Sequence, residues 1–185
     1  MTSGVVLLRG INVGGRNPVR MPDLVACFEA AGYDDVRTHL QSGNVLFAAA
    51  PAAAPPSGPE LEAALDRLLV EQLGFAVPTV VRSRDELAAT VGEAPAGHGS
   101  DDLRSDVFFL KAPLTVEEAM EQMPELREGV DAVAPGPGAI YFSRVAAQAR
   151  RTRIQKFFAL PAFQHVTARS WRTTTRLLEL LDATG

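Results

Sequence analysis

Cysteine is nearly absent from this chain of 185 residues: Cys27 is the only one, so no intrachain disulfide can form and a reducing cytoplasm is the natural setting. It lies in Leu24-Val25-Ala26-Cys27-Phe28, an apolar helical run with no basic neighbour, and reads as core packing rather than a reactive thiol. Histidine is scarce too. His39, His98 and His165 share no metal-ligand spacing with one another or with Cys27, so no metal and no cofactor is implied. No apolar run approaches the roughly 18 residues of a membrane span. Met1-Thr2-Ser3-Gly4 leads directly into a short apolar strand, without the pattern of a signal peptide. Neither sign of charge dominates: 18 Lys plus Arg against 22 Asp plus Glu leave −4, which argues mildly against a duplex-DNA binder.

What is present is a regular alternation of elements. Val5 to Ile11 reads as a buried strand, and a helix follows from Pro22 with Leu24, Cys27, Phe28 and Ala31 on one face until Gly32. Residues 36–40 and 45–48 are strand-like around the turn Gln41-Ser42-Gly43-Asn44. An Ala/Pro stretch (48–59) precedes a capping box at Ser57 and Glu60 and the amphipathic run Leu61, Leu65, Leu68, Leu69, Leu73. Residues 77–81 form a further strand, and Ser83 with Glu86 opens a short helix. The order repeats after residues 93–102. Residues 107–110 are a strand, Thr115 and Glu118 cap a helix, and 130–133 with 139–142 form a hairpin. A helix within 145–160 ends at Pro161, a strand covers 165–168, and Ser170 caps the last helix. The expected fold is α/β (α+β): two tandem ferredoxin-like βαββαβ units, each followed by an extra helix, over residues 1–92 and 104–185 with a linker at 93–103. Arg82-Ser83-Arg84 and Arg169-Ser170-Trp171, each between strand and last helix, support an internal duplication.

Gly10-Ile11-Asn12-Val13-Gly14-Gly15-Arg16-Asn17 sits between strand and helix, where glycine-rich anion-binding loops occur, yet it is neither a Walker loop nor a dinucleotide fingerprint. In a split βαβ arrangement this loop and the turn at 41–44 share one end of the sheet. Residues 1–22 and 36–59 contain no acid. The combined rim of Arg9, Gly10, Asn12, Gly14, Gly15, Arg16, Asn17, Gln41, Ser42 and Asn44 therefore suits a small anion. The weak net charge also hides strong local imbalance. Residues 93–143 hold three basic and ten acidic side chains, whereas residues 144–176 hold eight basic and none acidic. Within that basic stretch Trp171 stands between Arg169 and Arg172; it either stacks on a planar group or anchors the last helix.

Leu7 to Asn17 with Met21, then Thr38-His39-Leu40-Gln41-Ser42-Gly43-Asn44-Val45, and Thr167-Ala168-Arg169-Ser170-Trp171-Arg172-Thr173 resemble the bacterial domain of unknown function 1697 family. The resemblance spans essentially the whole chain and implies a ferredoxin-like α/β fold without an assigned chemistry; Tyr often stands there in place of His39, and Asn in place of Ser170. It draws attention to Arg169, Trp171 and Thr173 as further site residues. The function expected is binding of a small anionic ligand, a nucleotide or phosphorylated metabolite. An enzyme acting on such a ligand, a single-stranded nucleic-acid module and a purely structural partner-binding domain are the alternatives. No nucleophile with a base, paired carboxylates or metal set supports an enzyme, and the strands lack paired aromatics for stacking nucleic acid.

Overall fold

The computed structural model describes residues 3–52 and 58–183. Ser57, where the capping box ahead of Leu61 was expected to begin, and part of the Ala/Pro stretch lie outside the described residues.

β1 (Gly4–Leu8), β2 (Arg37–His39), β3 (Asn44–Phe47) and β4 (Thr79–Ser83) form one antiparallel sheet in the order β2-β3-β1-β4. All five residues of β1 are buried, as an apolar central strand should be. α1 (Met21–Ala30) has Pro22 in its first turn, where a missing N–H is harmless, and buries Leu24, Cys27 and Phe28. α2 (Gly58–Leu73) buries Leu61, Leu65 and Leu69 at four-residue spacing. These faces meet Val6, Leu8, Val45 and Phe47 in one core. Each such side chain contributes roughly 1.5–3 kcal/mol on burial.

β4 is an edge strand, whose outward N–H groups would otherwise offer a template for another chain. Carboxylates close it: Asp66 accepts from Thr79 N at 2.8 Å, Glu62 from Val81 N at 3.0 Å and Glu86 from Ser83 N at 2.7 Å. The last bond is half of a capping box, because Ser83 Oγ accepts in return from Glu86 N at 3.2 Å. That box opens α3 (Arg84–Gly92).

A second antiparallel sheet contains β5 (Leu103–Leu110), β6 (Asp131–Gly136), β7 (Ala139–Val145) and β8 (Val166–Ser170) in the order β6-β7-β5-β8. α4 (Val116–Glu121) starts at a complete Thr115–Glu118 capping box. The helix expected within 145–160 is broken. A 3-10 helix (Ala146–Arg151), the four-residue α5 (Gln155–Phe158) and a second 3-10 helix (Pro161–His165) replace it, and Pro161 opens a helical turn instead of ending one. The cause is tertiary. Thr152 has an extended ψ of 148°, and Arg153 N donates at 2.9 Å to Asp131 Oδ2 on β6 instead of to a carbonyl one turn back. Phe108 stacks on Phe142 and on Phe157, with centroids 5.6 and 5.9 Å apart, in the core beneath. α6 (Trp171–Asp182) follows β8, capped by Ser170 Oγ, which accepts from Thr173 N at 3.2 Å. The two compact units are Met1–Leu87 together with Leu177–Gly185, and Ala88–Arg176.

Candidate functional site

The chain leaves β1 tied on both sides: Leu8 N donates to Gly43 O at 2.8 Å and Arg9 N to Pro78 O at 3.0 Å. Beyond it, Val13 and Arg16 form an antiparallel bridge across Gly14 and Gly15, whose φ values are +58° and +74°. Two successive positive φ values make a tight two-residue hairpin turn, which glycine adopts without strain. The base of this small hairpin closes through Asn12 N, which donates to Asn17 O at 3.1 Å, and Asn17 Nδ2, which donates to Gly10 O at 3.1 Å.

Asn12 joins this loop to the turn after β2. Its Oδ1 accepts from Val19 N at 2.8 Å, and its Nδ2 donates to Val19 O and to Gln41 O, both at 2.9 Å. Its φ of +53° falls in the left-handed region that Asn tolerates better than most residues. Gly43 makes a second close approach: a Cβ there would stand 2.7 Å from Ile11 Cδ1 and 2.8 Å from Leu8 Cβ. Asn44 is fully buried, with Nδ2 donating to His39 O at 2.6 Å and to Ser42 Oγ at 3.3 Å.

Two segments about 30 residues apart in sequence are thus brought into direct contact, although the donors counted in the sequence fall into two groups. The carboxamides of Asn12, Asn17 and Asn44 bond within the rim and hold its shape. Gly10, Gly14, Gly15, Arg16, Gln41 and Ser42 are exposed on it. Arg9 is half-buried, and burial lowers its pKa from the usual arginine value. Val13 (64% exposed) and Leu40 (55%) give the same rim an apolar element that composition did not disclose. Leu40 also holds a φ of +60°, a left-handed conformation that is strained for Leu.

The other three sequence candidates lie in the later part of the chain. Arg169 is buried in β8, where Nη1 donates to Ala168 O at 2.9 Å and desolvation lowers its pKa to about 10. Arg82 does the same in β4, donating to Val81 O at 2.7 Å; it pairs with buried Glu62 at 3.7 Å. Both arginines occupy matching positions, opposite Val5 and Val107 on the central strands. Thr173 Oγ1 lies 2.8 Å from Ser170 Oγ and belongs to the helix cap. The Trp171 indole lies so close to Gly99 that a Cβ there would overlap Cδ1, and it meets the His98 ring edge-on at 4.8 Å. In this environment Trp171 packs the start of α6.

His98 received no role in the sequence, yet it helps line a cavity of about 500 Å³ with Val130, Val133, Tyr141 and Ser143. Its Nε2 is buried without a hydrogen-bond partner among the described residues, and burial lowers its pKa. Tyr141 Oη donates to Thr90 O at 2.7 Å, and burial raises its pKa to about 12. Cys27 is buried, which raises its thiol pKa and disfavours the reactive thiolate. Among the described residues no group of three or more His, Cys, Asp or Glu could hold a metal ion, and no helix is long and apolar enough to cross a membrane.

The model of a family described as "Protein of unknown function (DUF1697)" matches residues 1–141. The chain is also similar in fold to a conserved bacterial protein from Streptococcus pneumoniae, with a TM-score of 0.79 and 24% identity over 97% of this chain and 98% of that one. No curated protein matches it.

Proposed function

The chain belongs to the DUF1697 family of proteins of unknown function, and we propose that it binds a small organic anion at the rim formed by residues 10–17 and 41–44. The observation that carries this reading is the Asn12 clamp. It holds an acid-free loop against an acid-free turn with the Gly14–Gly15 backbone and the Arg16 side chain left outward. Arg16 joins no ion pair among the described residues, so its guanidinium is available for a phosphate or carboxylate. Val13 and Leu40 supply apolar contact for the remainder of the ligand, which favours a phosphorylated metabolite or nucleotide over an inorganic ion.

A small ligand is favoured over single-stranded nucleic acid because the aromatic side chains on the strands, Phe47, Phe108, Phe109, Tyr141 and Phe142, are all buried and offer no stacking platform. The strand orders β2-β3-β1-β4 and β6-β7-β5-β8 support a ferredoxin-like topology for each unit. Those matching orders, together with the matching Arg82 and Arg169, support the duplication. A cytoplasmic setting is part of the proposal, supported by the single free thiol of Cys27. A thermal-shift panel of phosphate, sugar phosphates and nucleotides tests the reading. For phosphate and sugar phosphates, stabilisation that disappears in Arg16→Ala, while that variant melts like the parent without ligand, is the expected result; no response to any anion overturns it.

A further inference from the structure

We propose a second binding site in the unit Ala88–Arg176, a nucleotide pocket walled by β5, β7 and the helical turns that follow β7. The pocket has a volume of about 540 Å³, and Arg104, Arg144, Arg150, Arg151, Gln148 and Phe158 are among its lining residues, none of which is acidic. Small-ligand sites typically span about 300–1,000 Å³.

The central observation is a like-charge pair. Arg104 and Arg144 stand directly opposite one another on β5 and β7, an arrangement that destabilises an antiparallel ladder unless an anion lies between the charges. The nearby carboxylates offer little relief. Asp106 Oδ2 is 4.0 Å from Arg144 Nη1, at the outer limit of an ion pair. Asp131, opposite Arg144 on β6, directs Oδ2 to the backbone N–H groups of Arg127 at 3.2 Å and Arg153 at 2.9 Å. Arg144 Nε is buried without a hydrogen-bond partner among the described residues. Arg151 Nη1 donates to Gln148 Oε1 at 2.7 Å, which fixes one guanidinium at the rim.

Several guanidinium forks lining one pocket, with no acidic side chain in its lining, match the oxygens of a phosphate chain. Phe158 defines the rest of the ligand. It is 40% exposed, and its ring packs against Phe163 at 4.7 Å and Phe108 at 6.0 Å. The exposed part of the ring lines the pocket, where a planar base can stack on it. Phosphate-reading arginines beside an open aromatic ring select a nucleotide over inorganic phosphate or a sugar phosphate.

Isothermal titration of full-length Arg16→Ala, in which the residue 10–17 rim is disabled, tests this pocket alone, with ADP and pyrophosphate as probes. The expected result is one ADP per chain, bound at least about tenfold tighter than pyrophosphate because a stacked base adds to the phosphate contacts. Adding Arg104→Glu and Arg150→Glu, both at exposed positions, abolishes ADP binding, and adding Phe158→Ala brings ADP down to the level of pyrophosphate. Should the double reversal unfold, Arg150→Ala replaces it, with an expected loss of about fivefold. Without ligand at low salt, Arg104→Gln raises the melting temperature by removing the opposed charge. The pocket is refuted by no ADP binding at millimolar concentration, by ADP affinity unchanged on removal of Arg150, or by equal affinity for ADP and pyrophosphate.

Discussion

Replacing Asn12 with Ala removes the clamp between the glycine loop and the turn after β2, and the structure sets the size of the effect. Three hydrogen bonds of 2.8–2.9 Å are lost, two to Val19 and one to Gln41. At a net value of about 1 kcal/mol each they amount to about 3 kcal/mol. Ala in the left-handed conformation that Asn12 occupies, φ +53°, adds about 1 kcal/mol. The bonded groups are only part-buried, so water recovers some of this, and the expected loss is about 2–3 kcal/mol. Asn12→Asp keeps the acceptor for Val19 N but sets a carboxylate oxygen against the carbonyl oxygens of Val19 and Gln41, so its loss is no smaller than that of Asn12→Ala. Urea unfolding gives the overall change, and amide exchange at Val19, whose N–H donates to Asn12, gives the local one. Stability of Asn12→Ala within about 0.5 kcal/mol of the parent, the scatter of an ordinary surface substitution, together with unchanged Val19 exchange, refutes the clamp.

The other predictions concern close packing, a buried pair and a buried imidazole. Gly43→Ala, which combines a Cβ 2.7 Å from Ile11 Cδ1 with a φ of +79°, should cost about 3 kcal/mol. Gly14→Ala, at φ +58° in open space, should cost only about 1 kcal/mol, and equal losses in chemical denaturation count against the close approach. Glu62→Ala removes the carboxylate that pairs with the buried Arg82 guanidinium and should lose about 3 kcal/mol. Glu62→Gln, which can still accept from Val81 N, should lose less in the same assay. Burial lowers the His98 pKa below 6.5, so the unfolded chain takes up the proton first. Stability is therefore complete above pH 6.5 and falls as pH drops below it. His98→Phe should flatten that part of the melting profile, and an unchanged slope assigns the effect elsewhere.

Local chemistry was readable in the sequence wherever one stretch determines its own conformation. The Ser83–Glu86 and Thr115–Glu118 boxes both form, and Ser170 caps α6. The meeting of residues 10–17 with 41–44 follows from the assumed topology, and the Asn12 to Gln41 bond shows it directly. What the sequence did not disclose depends on groups far away in the chain. Asn12, Asn17 and Asn44 count as donors in any composition, and only the fold reveals that their carboxamides are engaged. The helix expected within 145–160 is broken through Asp131, 22 residues before the Arg153 N–H it accepts from. The opposition of Arg104 and Arg144 is a matter of strand register, which their 40-residue separation leaves open.

The central claim is that the rim of residues 10–17 and 41–44 receives an anion, and amide chemical shifts during titration of the full chain with phosphate and then ADP test it most directly. Saturable shifts at Gly14, Gly15 and Arg16, weakened by Arg16→Ala and retained when Arg104 and Arg150 are reversed, are the predicted result. The absence of shifts at these three amides at about 10 mM of either anion, where even millimolar affinity would give near-full occupancy, contradicts it.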